Sequence, residues 1–223
     1  METTLSDRED EARRAYDAVA ETYAATVPAL FAQDVRGRAM IAAFAELVAA
    51  AGAGPVADLG CGPGHVAAHL RDLGVPVFGV DVSPGTVAAA RRAHPEIRFE
   101  VGTLGSLDAA DGALGGVLSW WSLLHTPPAE RPAVFAEWRR ALAPGGYALL
   151  GFHVGDGQSQ VTGAYGQAGV DYTIDLIQPE EVAAELAAAG FEREALMRLP
   201  GVRREQACLL VRKRREAVPV TSG

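Results

Sequence analysis

Residues 55–70 read PVADLGCGPGHVAAHL, and no other stretch narrows the fold as much. An apolar run ends at Asp58 and Leu59, glycines follow at 60, 62 and 64, and a helix-like segment begins at His65. Glycine has no Cβ and reaches left-handed backbone freely, so a ligand can lie directly against the main chain of such a turn. A strand feeding a helix through this turn is the opening unit of a doubly wound parallel sheet. A second acid, Asp81, closes the next apolar run, VFGVD. In that architecture both strand ends face one crevice, and an acid about 20 residues beyond the glycines accepts hydrogen bonds from two ribose hydroxyls. The loop and its acid therefore predict a nucleoside pocket. A dinucleotide fingerprint would place its third glycine at position 65, where the chain has His65, and a phosphate loop would end in Gly-Lys-Ser or Gly-Lys-Thr, which the sequence lacks.

The wider pattern agrees with a parallel sheet. Apolar runs at 55–59, 76–81, 97–101, 115–121 and 146–152 are separated by segments of helical period, and parallel neighbours need such crossovers. Ahead of them, Ala12, Tyr16, Val19 and Tyr23 mark one face of a helix over 8–25, and Met40, Phe44, Leu47 and Val48 one face of a helix over 33–50. Behind them, QPEEVAAELAAAGFE reads as a helix opened by Pro179 and stopped by Gly190. Strands near 191–198 and 206–212, with only a turn between them, predict an antiparallel hairpin. A chain of 223 residues suits a single domain: a helical cap over 1–50, a core over 51–213, a tail over 214–223, and disordered ends at 1–7 and 215–223. Residues 153–173 are glycine-rich, polar and too long for a connector, which predicts a lid over the site.

Composition removes several classes of function. A net charge of −8 opposes a nucleic-acid partner, and the one basic cluster, VRKRRE at 211–216, reads as a solvated strand end. Cys61 and Cys208 are too few for a disulfide framework or a thiolate metal site. Lys213 is the only lysine and lies in that basic cluster, which excludes the internal lysine of a pyridoxal or Schiff-base enzyme. No apolar run is long enough for a bilayer, and the acidic start METTLSDREDEARR is unlike a signal peptide. The expectation is a cytoplasmic monomer or homodimer that handles a small molecule, without nucleic acid, membrane or metal.

DLGCGPG followed by GVDVSP resembles motif I and the following acid of the class I S-adenosylmethionine (SAM)-dependent methyltransferases. YDAVAETYAA is similar to their N-terminal helix, GVLSWWSLLH to their fourth strand, and EWRRALAPGGYALLGFH to the helix and fifth strand that follow. The resemblance implies a Rossmann-like, seven-stranded, mostly parallel sheet with an antiparallel C-terminal hairpin, and SAM as cofactor. It implies that Gly60, Cys61 and Gly62 pass under the methionine part, with Asp58 at the same strand end, that Asp81 binds the ribose, and that Val82 lies beside the adenine. Gly102, Thr103 and Leu104 match the turn flanking the adenine; many members have Asp where Thr103 stands, which leaves N6 recognition to Thr103 or a carboxylate such as Asp108. Tyr16 is expected over the methionine end and Tyr23 near the acceptor.

A hydroxyl acceptor requires a base. His125, at the end of the fourth apolar run, is the expected general base because an unperturbed imidazole titrates near neutrality. His153, ending the fifth run, competes for that role, whereas His65, His69 and His94 read as helix-surface residues. Trp120 is expected to wall the cofactor and Trp121 to face the other way; Tyr165, Asp171 and Tyr172 are expected to touch the acceptor. The leading expectation is O-methylation of a small molecule, with an alanine- and arginine-rich style that suggests secondary metabolism. N- or C-methylation and a SAM-binding enzyme that does not methylate, pericyclic or decarboxylating, are the alternatives; a nicotinamide oxidoreductase is disfavoured by the glycine spacing.

Overall fold

The computed structural model describes residues 6–201 and 204–215. Two helices open the chain, α1 (Asp7–Gln33) and α2 (Val35–Ala51). The core then runs β1 (Val56–Leu59), α3 (His65–Asp72), β2 (Val77–Asp81), α4 (Pro84–Ala93), β3 (Arg98–Val101), β4 (Leu114–Trp120), α5 (Arg131–Ala141) and β5 (Leu142–His153). It continues through β6 (Gln158–Val161), β7 (Tyr172–Asp175), α6 (Pro179–Ala188), β8 (Phe191–Leu199) and β9 (Gln206–Lys213). Seven strands form one sheet in the order β3-β2-β1-β4-β5-β9-β8, with β9 antiparallel to both of its neighbours and the remaining pairs parallel. Chain order reverses beside β1, so β1 and β4 part their connections there and leave a crevice at their C-terminal ends.

Each face of the sheet carries its own core. Trp138 and Phe135 of α5 and Leu186 of α6 pack with Phe152 and Leu209 on one face. Ile41, Phe44 and Val48 of α2 pack with Leu70, Leu118 and Leu149 on the other. Among the described residues no helix is long and apolar enough to cross a membrane.

Several boundaries differ from expectation, each because of contacts distant in sequence. The first helix does not stop at residue 25 but continues to Gln33, with Pro28 inside it. It starts inside the segment expected to be disordered, since Ser6 forms a capping box with Glu9: the Ser6 N–H donates to Glu9 Oε2 at 2.9 Å and the Glu9 N–H to Ser6 Oγ at 3.3 Å. The expected disordered residues 1–5 and 216–223 lie outside the described residues. No helix joins β3 to β4; turns and an isolated Thr103–Ser106 bridge do so. The segment expected as a lid loop holds β6 and the start of β7, which pair antiparallel as a separate small sheet.

α1 is what turns the crevice into a site. It packs against α4, α3 and β7 rather than lying flat on the sheet. Asp17 anchors it: its Oδ1 accepts from the Ser83 hydroxyl at 2.5 Å and from the Gly85 N–H at 2.8 Å, so a side chain of α1 satisfies a backbone donor at the start of α4. Arg8 reaches the small sheet, pairing with the buried Asp175 at 2.8 Å. One helix thus spans both sides of the crevice.

Candidate cofactor and acceptor site

The glycine loop is held by backbone. The Gly60 and Cys61 N–H groups both donate to the Val80 carbonyl, at 2.7 and 3.0 Å, tying the loop to β2. Gly60 (φ +73) and Gly62 (φ +52) take left-handed backbone, where a Cβ is strained, and a Cβ on Gly60 would collide with the Ser122 side chain. Ser122 is a residue that sequence reasoning misses. Its hydroxyl donates to the Leu59 carbonyl at 2.6 Å, locking the end of β4 to the end of β1. Asp81 accepts from the Gly62 N–H at 2.8 Å, the Ser83 N–H at 2.9 Å and the Thr86 hydroxyl at 3.1 Å.

Two adjoining cavities open above this floor. The smaller is lined by Asp81, Val82, Thr103 and Leu104, together with Glu9, His125 and Thr126. The larger is lined by Asp58, Cys61, His153, Tyr165 and Tyr172, with Asp34 and His65 among residues not expected there. Tyr16, Tyr23, Gly60, Trp120 and Trp121 border both. The expected residues other than Gly62, Gly102, Asp108 and Asp171 therefore border these cavities, divided between the two compartments. Gly62 lies beneath the Tyr23 ring rather than in open space, and Gly102 contributes a backbone N–H to the Asp81 carbonyl at 3.0 Å.

Some expectations need correction. Asp108 is exposed and borders neither cavity; the carboxylate beside Thr103 and Leu104 is Glu9, delivered by α1. Asp171 accepts from the Gly163 N–H at 2.9 Å and closes its own turn instead of touching the chamber. His65 is not a surface residue: it lines the larger chamber, edge-on to Phe31 at 5.3 Å, because the extension of α1 carries Phe31 over it. The two tryptophans do not face opposite sides. Trp121 takes left-handed backbone (φ 61) and turns into the site beside Trp120, their rings 5.6 Å apart. Trp120 fills the space over Gly37 and Gly151, so it is core and wall at once.

Electrostatics follow from burial. Burial, then the charge of Asp81, pushes the Asp58 carboxyl up to about 7, and its Oδ2 has no partner. Burial also raises the Asp81 carboxyl, against the hydrogen bonds from Ser83 and Gly62 that favour its charged form. His125 is pushed down to about 3 by burial and by the nearby Arg8 charge, and His65 to about 4 by burial. The hydroxyls of Tyr16 and Tyr23 are held well above their ordinary range by burial. Tyr16 Oη and His125 Nε2 lie 3.2 Å apart, a hydrogen bond between a protonated phenol and a neutral imidazole.

Comparison with known proteins places this geometry. Residues 56–146 match the family described as "Methyltransferase domain". A demethylmenaquinone methyltransferase of Beutenbergia cavernae is 38% identical over 91 residues, 41% of this chain and 37% of that protein. The chain thus spans little more than a third of that relative's length. Over this segment, 41% of the chain, it is similar to the methyltransferases. The fold likeness extends further than the sequence likeness. The 1,6-didemethyltoxoflavin-N1-methyltransferase of Burkholderia thailandensis, solved with its acceptor and S-adenosylhomocysteine (SAH), superposes with a TM-score of 0.66 at 21% identity, covering 96% of this chain and 93% of that one. A 4+2 cyclase, SpnF, gives 0.71 at 18% identity, covering 96% and 98%. SAM is the cofactor such methyltransferases use, and the residues fit it: left-handed backbone at Gly60 on the cavity wall, a carboxylate at Asp81, and the unpartnered, buried Oδ2 of Asp58.

Proposed function

We propose that this chain catalyses methyl transfer from SAM to a small molecule held in the larger chamber. The observation that carries the reading is the junction of the two cavities at Tyr16, Tyr23 and Gly60, which joins a compartment lined by Asp81, Val82 and Thr103 to a roomier aromatic one. Bound there, SAM supplies an electrophilic methyl group on a sulfonium. The chain's own residues then orient: Asp81 receives the ribose, Glu9 and Thr103 face the adenine edge, Asp58 receives the amino group, and the tyrosine rings exclude water. Positioning of this kind supplies much of the rate in bimolecular transfers, on the order of 7–11 kcal/mol in favourable cases.

For a hydroxyl acceptor the base is the remaining question. His125 is supported by its hydrogen bond to Tyr16, yet burial that holds it near 3 makes its imidazolium costly, and it borders the smaller cavity only. A base works best with a pKa near the working pH. We therefore assign His125 to fixing Tyr16, and place the proton-accepting role at His153, which lines the larger chamber against the Trp121 ring at 5.0 Å with Nδ1 unpartnered. His153→Ala lowering turnover far more than His125→Ala is the expected result; the reverse order restores His125 as base.

A second reading, a SAM-binding enzyme that does not methylate, is favoured by the near-complete overlay with the cyclase. Labelled SAM separates the two: transfer of label to an acceptor supports the first, and retention of all label on SAM in the presence of an accepted substrate supports the second. Calorimetry decides the cofactor, with SAM binding and no NAD binding expected. A cytoplasmic monomer or homodimer, active after exhaustive chelation and serving secondary metabolism, completes the proposal.

A further inference from the structure

Seven aromatic rings line the larger chamber: four tyrosines (16, 23, 165 and 172), Trp120, Trp121 and Phe31. The four tyrosines touch one another, with Tyr16–Tyr23 at 5.3 Å, Tyr16–Tyr172 at 5.5 Å and Tyr23–Tyr165 at 4.8 Å between centroids. The phenols are protonated, so the rings offer neutral π faces and hydroxyls rather than phenolates. Among the described residues, no Arg or Lys lines either cavity. Two cations near the site histidines are engaged elsewhere: Arg8 with Asp175 and Glu11, and Arg204 with the Ser159 hydroxyl.

The carboxylates are unevenly committed. Asp81 and Glu9 line the smaller cavity, and Asp58 sits beside the glycine loop at the end of β1. Asp34 is left over. It caps α2 through Oδ1, which accepts from the Gly37 N–H at 2.9 Å, and its Oδ2 accepts no hydrogen bond from the described residues. That oxygen shares the space above Gly37 with the edge of Trp120, and Asp34 lines the larger chamber.

Resting on the methyltransferase reading above, we infer that the larger chamber takes an arylalkylamine in its ammonium form, the cation held between the tyrosine faces and Asp34, and that carboxylate acceptors are excluded. A cation over aromatic faces gains from their quadrupoles, and a chamber lined by carboxylates with no Arg or Lys disfavours an anion. Transfer to such an acceptor balances simply. The ammonium releases its proton to solvent through the chamber mouth, the nitrogen lone pair forms the N–C bond as the C–S bond breaks, and sulfur keeps that electron pair. The product nitrogen again carries positive charge, which Asp34 continues to face.

Three probes of one shape and different charge test this: tryptamine, tryptophol and indole-3-acetate, titrated calorimetrically into the full chain saturated with SAH. Tryptamine binding about tenfold or more tighter than indole-3-acetate, with tryptophol between, is expected. In Asp34→Asn the amide oxygen still accepts from the Gly37 N–H, so α2 stays capped, and tryptamine should fall to within about threefold of tryptophol. Indole-3-acetate binding as tightly as tryptamine, no binding of any probe to the SAH complex, or an Asp34→Asn variant that keeps the full amine preference each overturns the inference and leaves the methyltransferase reading standing. Failure of SAH itself to bind removes both.

Discussion

The floor of the site is held by main-chain bonds: Gly60 and Cys61 on the Val80 carbonyl, and the Gly62 N–H on Asp81. Its cover is held by side chains, with Tyr16, Tyr23, Tyr165 and Tyr172 in ring contact and Asp17, Arg8 and Thr173 pinning α1 to its surroundings. Backbone geometry is indifferent to most substitutions and intolerant of a few; ring packing adapts by degrees. The floor therefore suits an invariant donor, and the cover suits an acceptor that differs from one relative to the next. Breaking each part should give different kinds of failure.

The largest effect is expected at the floor. Gly60→Ala puts a Cβ on left-handed backbone and into Ser122. Strain of about 1–2 kcal/mol plus overpacking of about 1–3 kcal/mol should be visible in urea denaturation. SAM binding by calorimetry should weaken by about 100-fold or more, since a rebuilt turn no longer approaches the ligand. A Gly60→Ala variant that binds SAM normally would show that the floor is as adaptable as the cover.

The next effect is electrostatic. Asp58 has a folded-state pKa near 7, raised from an unfolded 3.8. Its contribution to stability is thus fully present below about pH 3.8 and lost as pH rises through 7, because ionisation beside Asp81 is favoured less in the fold than in the open chain. His125 and His65 have the opposite sign: pushed down to about 3 and 4, they cost stability as pH falls from 6.5 toward those values. Asp58→Asn isolates the first effect. The variant without SAM should gain on the parent between pH 4 and pH 8 by up to about 4 kcal/mol, each tenfold change in proton affinity between fold and open chain being worth roughly 1.4 kcal/mol. A parallel pair of pH–stability curves would remove the strained carboxylate from the floor.

The same division explains what was legible in the sequence. The loop at 60–64, Asp81 and the C-terminal hairpin are set by residues close in the chain, where glycine spacing, apolar runs and turns carry the information. The cover depends on how far α1 runs. Pro28 suggests a stop, yet the helix continues to Gln33, and that extra length brings Phe31 over His65 and sets Asp34 at the start of α2. β6 and β7 read as a loop because QSQV and YTID are short, pair only with each other and have no run of apolar residues. Trp121 departs from its expected direction through a single backbone angle: strand alternation would turn it away, and a φ of 61 turns it inward. His125 is recognisable as a strand-end histidine, but that its ring meets Tyr16 and Tyr172, both on the wall of the larger chamber, is a tertiary fact.

A smaller effect is expected where the two parts meet. Tyr16→Phe removes the 3.2 Å hydrogen bond to His125 and keeps the ring. A neutral hydrogen bond is worth about 0.5–1.5 kcal/mol net, so stability should drop by about that amount and turnover by roughly 2- to 10-fold. SAM affinity should stay within about twofold, as the ring remains. A collapse of SAM affinity instead would assign the hydroxyl to the donor.

The smallest effect is expected at Tyr165, a half-buried ring of the cover. Its backbone lies in the left-handed region (φ 52, ψ 33), which costs a residue with a Cβ about 1–2 kcal/mol. Its ring returns part of that through the 4.8 Å contact with Tyr23, worth about 0.5–1.5 kcal/mol for an aromatic pair. Tyr165→Gly removes strain and contact together, so the net change in unfolding free energy should stay below about 1 kcal/mol. The difference should appear in the acceptor alone: KM for the acceptor rises while the Kd for SAM holds, since Tyr165 borders the larger chamber and not the smaller cavity. A retained strain in this position, kept where glycine would fit the backbone, is then explained by what the ring does for the acceptor. Equal shifts in both constants would mean that Tyr165 orders the whole of α1, and that floor and cover are one unit.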